Sequence, residues 1–388
     1  MMNFMQFHAP TKIVQSPGLL ASGESEFSTY AGRRAIIISD QVMASLNVTE
    51  TLARTLAESG VKVGIVYTEV PQDSDLHVVS RVAELGRNCG ADMLVAVGGG
   101  SVIDTAKAAN ILLKHGGELK EYQGYQLLTE PLFPLVAIPT TIGTGSEVTP
   151  IAVIADHEEM RKLSFVERFI TPELALLDPE ITYTLPSKMA AATAMDALTH
   201  AIESYTCLEH NPMSDMYAVN AIQTILAEVI SGTRTDFDPE ARAKLQLAST
   251  MAGIAFANSM VGGVHSLAHA LGGVAKVPHG VANSIVLVAM LRYNLEEIEA
   301  RLANLARAAS LSGSGDDGDA SRTMLERLSL IQESLHEMTG LPTRLKEVGV
   351  RKEQFPEIVD RAMEDGSVIY NPKELTNDAL INILEQIY

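Results

Sequence analysis

Short runs of apolar, β-branched residues alternate with amphipathic stretches through the first half of the chain. Residues 34–40 (RAIIISD) form an isoleucine-rich run that reads as a buried strand. A helical pattern follows over residues 49–59, stopped by Gly60, and a second strand is expected at 61–67. Residues 76–88 carry helical spacing and end near Gly90. Residues 93–97 read as a third strand running into Gly98-Gly99-Gly100, and 135–139 as a fourth running into Thr140-Thr141. Strand and helix alternating at this spacing predict a parallel sheet with helices on both faces. Beyond Leu185-Pro186 the strand signal fades, and Ala-rich, amphipathic helical patterns continue to Ile387. Residues 310–320 (SLSGSGDDGDA) read as a flexible loop on their Ser, Gly and Asp content. The 388 residues exceed what one compact core usually holds. The pattern therefore predicts a Rossmann-like α/β domain over 1–185 and an all-α domain over 186–388.

The segment LVAVGGGSVIDTAK, residues 94–107, is strand, glycine turn, then helix. Glycines there let the backbone approach a ligand, and the helix opened by Ser101 offers free N–H groups to a pyrophosphate. Ile103 stands where the last glycine of GxGxxG would be, so the usual dinucleotide fingerprint is absent. A plain strand-to-helix turn is the alternative, although three consecutive glycines exceed its needs. Asp104 and Lys107 on the first helical turns could both be exposed surface residues. Asp40, at the carboxyl edge of the first strand, could accept the hydroxyls of an adenosine ribose and repel a 2′-phosphate, which favours NAD over NADP; it could equally be a helix N-cap. The run PTTIGTGSEVT, residues 139–149, offers hydroxyls and glycine-exposed N–H groups at the same sheet edge.

The helical half carries a second constellation. Asp196 and His200 are four apart, which stacks their side chains on one helix face. His265, His269 and His279 lie in GGVHSLAHALGGVAKVPHG, a stretch with only Lys276 as a fixed charge. An unpaired polar ring in an apolar interior costs roughly 1–3 kcal/mol. A divalent ion bound by neutral imidazoles and a carboxylate removes that cost. HSLAH lacks the glutamate of HExxH, so a zinc-peptidase reading fails.

Taken together, GGGSVIDTAK, PTTIGTGSEVT, MDALTHAIE and GGVHSLAHALGGVAKVPHG resemble the iron-containing (group III) alcohol dehydrogenases, over nearly the whole chain. The resemblance implies an N-terminal cofactor domain, a helical C-terminal domain and an active site where the two meet. It implies Asp196, His200, His265 and His279 as metal ligands, with Fe2+ as the metal and Zn2+ as the alternative. His269 is implied as a non-ligand catalytic residue in substrate positioning or proton transfer. Gly98, Gly99, Gly100 and Ser101 correspond to the pyrophosphate loop, and Thr140, Thr141, Thr144 and Thr149 to cofactor contacts. Lys162 corresponds to a lysine near the nicotinamide ribose, and Asp40 to the position associated with NAD. The chain departs from the family at Ala194-Met195, where Thr-Gly is common, and at Lys373, where Arg is common. The implied activity is hydride transfer between a primary or small secondary alcohol and NAD. Zinc-dependent glycerol dehydrogenases, other polyol or hydroxyacid dehydrogenases and the dehydroquinate synthases share this plan, and a catalytically silent metal- or nucleotide-binding protein is the rival from another class.

Charge narrows the partners. A formal net charge of -19 repels phosphate backbones and anionic lipid, so neither nucleic acid nor a membrane is expected as a partner. No charged residue lies between Lys244 and Lys276, but Gln246, Ser249, Thr250, Asn258, Ser259, His265 and His269 interrupt that stretch; two buried helices are expected rather than a membrane span. Cys89 and Cys207 are far apart and match no metal or disulfide spacing, and no signal peptide is read at the start, so a cytoplasmic enzyme is expected. The expected partners are a small alcohol or aldehyde and further copies of the chain in a homo-oligomer, a dimer.

Overall fold

The computed structural model describes residues 5–159, 161–311 and 315–388. Its contacts cluster into two compact units. One unit holds Ala9–Thr141 and Gly145–Thr184; the other holds Leu185–Tyr388 together with Ile142–Thr144 and residues 5–8. The division is thus not a single cut, because Ile142 packs in the core of the helical unit.

The first unit contains β1 (Lys12–Gln15), α1 (Leu19–Ser22), α2 (Glu24–Phe27), β2 (Arg34–Ile38), α3 (Gln41–Ser45), α4 (Val48–Glu58), β3 (Lys62–Tyr67), α5 (Leu76–Cys89), β4 (Met93–Gly98) and α6 (Gly100–His115). It continues with β5 (Gly124–Tyr125), β6 (Leu135–Pro139), β7 (Ile151–Asp156), β8 (Arg161–Val166) and β9 (Leu174–Leu177). Six strands form a sheet in the order β1-β9-β6-β4-β2-β3, every neighbouring pair parallel. The strands are apolar without interruption because both sheet faces are covered: Ile36, Ile38, Leu94 and Ala96 join one core, and Ala35, Ile37, Met93 and Val95 the other. The chain leaves β2 for β3 on one side and returns to β4 on the other, so the sheet's switch point lies between the carboxyl ends of β2 and β4.

Five strands, β1, β5, β7, β8 and β9, carried too little local signal to be read from the sequence. β1 and β9 are four residues each and pair with each other, Lys12 beside Leu174. β7 and β8 form an antiparallel pair in a separate three-stranded sheet. Short strands defined by distant partners have no periodicity long enough to register.

The second unit is helical: α7 (Ser187–Thr206), α8 (Pro212–Thr233), α9 (Pro239–Ala257), α10 (Gly263–Ala275), α11 (His279–Ala308), α12 (Asp317–Thr339), α13 (Phe355–Met363) and α14 (Asn377–Gln386). They share one core, in which α7 and α11 are buried along most of their lengths. The expected loop at 310–320 is shorter than read. Asp316 caps α12 by accepting from Gly318 N, so the acidic run Asp316, Asp317, Asp319 begins a helix. Residues 312–314 of that segment lie outside the described residues. The uncharged stretch is two separate helices, α9 and α10, and among the described residues no helix is long and apolar enough to cross a membrane.

The two cysteines differ in reactivity. Cys207 is buried, and burial pushes its thiol up to about 12, whereas Cys89 is partly exposed. A thiolate-selective reagent at pH 8 should therefore modify one thiol per native chain, at Cys89, and two after denaturation. Mass mapping of the labelled peptides checks this, and fast native labelling of Cys207 would contradict the burial.

Candidate metal centre

Asp196 and His200 lie one turn apart on α7, His265 is near the start of α10, and His279 is the first residue of α11. One donor atom from each lies within 4.8 Å of every other. Asp196 Oδ1 is 3.4 Å from His279 Nε2 and 3.8 Å from His200 Nδ1. Four ligands with bonds of about 2.0–2.1 Å in a tetrahedron stand about 3.3–3.5 Å apart; the Asp196–His279 pair already has that spacing, and the set as a whole lies within 4.8 Å. A close helix approach makes it possible. Gly280 faces the backbone of α7, where a Cβ would sit 2.5 Å from the Ala192 carbonyl oxygen and 3.5 Å from Asp196 Cβ. Any side chain there would push His279 away from Asp196.

The electrostatics favour a cation. Burial drives the Asp196 carboxyl up to about 7 against the opposing hydrogen bond from Asn283. Burial also lowers His200 well below the ordinary imidazole range and His265 to about 3, so both are neutral, the form that ligates metals. Among the described residues His200 Nδ1 is buried with no hydrogen-bond partner. One face of its ring stacks on Phe256, with centroids 4.3 Å apart. An orphaned imidazole nitrogen facing a buried carboxylate fits a divalent ion with nitrogen and oxygen ligands.

Three residues around this set carried no assignment from the sequence. Glu203 accepts from His265 Nδ1 at 2.6 Å, and Asn283 Nδ2 donates to Asp196 Oδ1 at 2.6 Å. Asp365 Oδ2 lies 2.7 Å from His269 Nδ1. Glu203 continues the α7 face three residues after His200, and Asn283 follows His279 by four; both spacings could have pointed to them. Asp365 is 96 residues from His269 and had no such signal. His269 stacks on His279 at 5.2 Å, and its Nδ1 is the nitrogen tied to Asp365. Lys373, in place of the common Arg, pairs with Glu296 and covers the Tyr293 ring.

The second group of residues belongs to the α/β unit. Asp40 and Thr140 follow the carboxyl ends of β2 and β6, and Gly98 is the last residue of β4, the strand between them in the sheet. Gly99 is the N-cap residue of α6 with no side-chain cap, and Gly100 and Ser101 open the helix. Val102 folds back over Gly98, where a Cβ would lie 2.5 Å from its Cγ2. Thr141 stands beside the turn, its Cγ2 3.2 Å from a Cβ built on Gly99. Asp40 is an N-cap: its Oδ1 accepts from Met43 N at 2.9 Å. Ser101 Oγ accepts from Asp73 N, and Lys162 on β8 pairs with the Asp73 carboxylate at 2.9 Å, so these residues share one corner of the unit. Thr144 is set apart, in the helical unit.

Asp104 and Lys107 are not the exposed helix residues that the sequence allowed. Lys107 is fully buried, and its Nζ donates to Ser146 Oγ, Thr149 Oγ1 and the Ile151 carbonyl. Asp104 accepts from Ser146 Oγ and Val153 N. Thr149 is therefore buried with its hydroxyl occupied by Lys107. The helix α6 packs between the sheet and β7, which buries a face that helical periodicity alone could not distinguish from a solvated one.

Residues 10–179 match the family model "Iron-containing alcohol dehydrogenase", and residues 190–388 match "Fe-containing alcohol dehydrogenase family, C-terminal". The chain is 33% identical over 380 residues to the NAD-dependent methanol dehydrogenase of Bacillus methanolicus, covering 98% of each. It is 33% identical over 394 residues to the NADPH-dependent butanol dehydrogenase of Clostridium saccharobutylicum, covering 99% of this chain and 98% of that one. The solved structure of a 1,3-propanediol oxidoreductase superposes with a TM-score of 0.95 at 30% identity, over 100% of both chains. Two consecutive family models and relatives of this identity along nearly its full length make the chain a member of the iron-containing alcohol dehydrogenases.

Proposed function

We propose that this alcohol dehydrogenase oxidises a primary or small secondary alcohol with NAD, and reduces the corresponding carbonyl, at a divalent metal held by Asp196, His200, His265 and His279. The observation that carries the reading is the convergence of those four buried donors in one place. Fe2+ is the ion the family implies, and the same ligand set accepts Zn2+. A divalent ion there supplies Lewis acidity toward an alcohol or carbonyl oxygen, and the dinucleotide supplies the hydride acceptor.

The protein's own groups do the rest. Burial holds His200 and His265 neutral, and Asn283 fixes the Asp196 carboxylate. Burial would raise Asp365, but the hydrogen bond with His269, together with those from Ser367, outweighs it and holds Asp365 below the usual carboxylate range. Asp365 is thus an anion that engages His269 Nδ1 and leaves Nε2 to move a proton. His269 Nε2 accepts the alcohol proton on oxidation and returns it on reduction. The α6 N-terminus with Gly98, Gly99, Gly100 and Ser101 takes the pyrophosphate. Thr140, Thr141, Thr144 and Lys162 contact the cofactor, and Thr149 acts by holding Lys107 beneath the loop. The reading takes the working enzyme to be a cytoplasmic homodimer. The exposed apolar side chains of Leu208, Met213 and Met216 favour association, and gel filtration checks it.

Metal analysis of anaerobically purified protein, paired with a panel of alcohols and aldehydes followed at the absorbance band of reduced nicotinamide, tests the whole reading. Full turnover of every good substrate in protein stripped of metal would reject it.

Asp40 sets the cofactor preference in this scheme. Removing its charge in Asp40→Ala should raise the ratio of NADP to NAD kcat/KM by roughly tenfold or more, about 1.4 kcal/mol of discrimination. It should also cost about 1 kcal/mol of stability through the lost cap on Met43 N. An unchanged cofactor ratio with the expected loss of stability would leave Asp40 as a cap alone.

A further inference from the structure

Glu203 is the second buried carboxylate of α7, in the interior of the helical unit. Its Oε1 accepts from Val264 N at 2.7 Å, and its Oε2 accepts from His265 N at 3.2 Å and faces His265 Nδ1 at 2.6 Å. Among the described residues no lysine or arginine pairs with it. An anion buried without a cationic partner is expensive, and hydrogen bonds from neutral N–H groups compensate it only in part. Such a group persists where something else supplies positive charge.

The geometry of His265 says where. Glu203 occupies Nδ1, and the opposite ring nitrogen, Nε2, lies 3.3 Å from Asn283 Nδ2, the amide nitrogen that also bonds Asp196. The ring therefore spans from Glu203 to the ligand set. A carboxylate accepting from one imidazole nitrogen fixes the tautomer in which the other nitrogen carries a lone pair.

We propose that Glu203 is a positioning residue of the metal centre, holding His265 as the Nδ1–H tautomer with Nε2 free to ligate and contributing the second negative charge of the site. This rests on the reading that Asp196, His200, His265 and His279 bind a divalent ion. With Asp196 and Glu203 both ionised and the imidazoles neutral, a divalent ion makes the buried centre electroneutral; without Glu203 it carries an uncompensated positive charge.

The test uses Glu203→Gln, which keeps the side-chain shape and one accepting oxygen, for Val264 N or for His265, while the charge is lost. The Zn2+ affinity of wild type and variant is measured by chelator competition, together with the melting temperature of each metal-free protein. A fall in Zn2+ affinity of about 10- to 100-fold, with metal-free melting temperatures within a few degrees, is the expected result. Unchanged affinity with a lowered metal-free melting temperature would make Glu203 only a cap of α10 and overturn the proposal. Should the variant not fold, 15N-histidine correlation spectra of zinc-loaded wild type decide the matter, since the Nδ1–H tautomer is required at His265 and an Nε2–H tautomer overturns it. A wild type that takes up no stoichiometric Zn2+ would overturn the metal-site reading itself, whereas tight binding by both proteins removes only the role given to Glu203.

Discussion

In His200→Ala, bound metal and turnover should disappear together, with kcat down by roughly a thousandfold or more. His200 contributes a buried nitrogen that has no hydrogen-bond partner among the described residues, and the remaining three donors include His279 at the edge of the set, about a third exposed. Polarisation of a substrate oxygen by a metal is worth several kcal/mol, and each 1.36 kcal/mol is tenfold in rate, so loss of the ion alone reaches this size. The fold should survive: the ring is replaced by a small cavity beside Phe256, in a helix whose core contacts are otherwise unchanged. Metal content, circular dichroism and turnover on one preparation check the three expectations. A folded, metal-free His200→Ala protein that turns over alcohol at the wild-type rate would end the metal-dependent scheme.

Lys107→Met should destabilise the α/β unit by about 3 kcal/mol, the lower end for breaking a buried ion pair, because Asp104 keeps some exposure. The change removes the donor from Ser146 Oγ, Thr149 Oγ1 and the Ile151 carbonyl while keeping much of the side-chain volume. It also frees the segment that follows Thr140 and Thr141, so the Kd for NAD should rise along with the loss of stability. A pH signature separates this from simple packing loss. Burial outweighs Asp104 and Glu147 and lowers Lys107 to about 8, against about 10.4 in an unfolded chain. Between those values the unfolded state binds more protons than the folded one. Wild-type stability should therefore rise with pH across that window relative to Lys107→Met. Urea melts of both proteins at several pH values read the difference directly. A difference that stays flat with pH would show that Lys107 is not held in the buried state described.

What lay in the sequence was local. Ile36–Ile38 and Leu94–Val97 are continuous apolar runs, and such runs between helical patterns specify a doubly covered parallel sheet whatever their partners. The glycines after β4 and the four-residue spacing of Asp196 and His200 are likewise properties of one turn and one helix. The family itself was legible from four motifs in order, and the matches along both halves agree with it. Tertiary structure decided everything that depends on distant segments. It paired β1 with β9, separated by more than 150 residues, and it buried Lys107 and tied Asp104 to Ser146 and Val153, which a helical wheel leaves ambiguous. It also set Asp365 against His269 and Glu203 against His265, and brought α10 and α11 to the face of α7 that carries Asp196. The reason is physical. Periodicity and turn chemistry act over a few residues, whereas the position of a donor atom depends on which helix packs where, and that choice is made by the whole core at once.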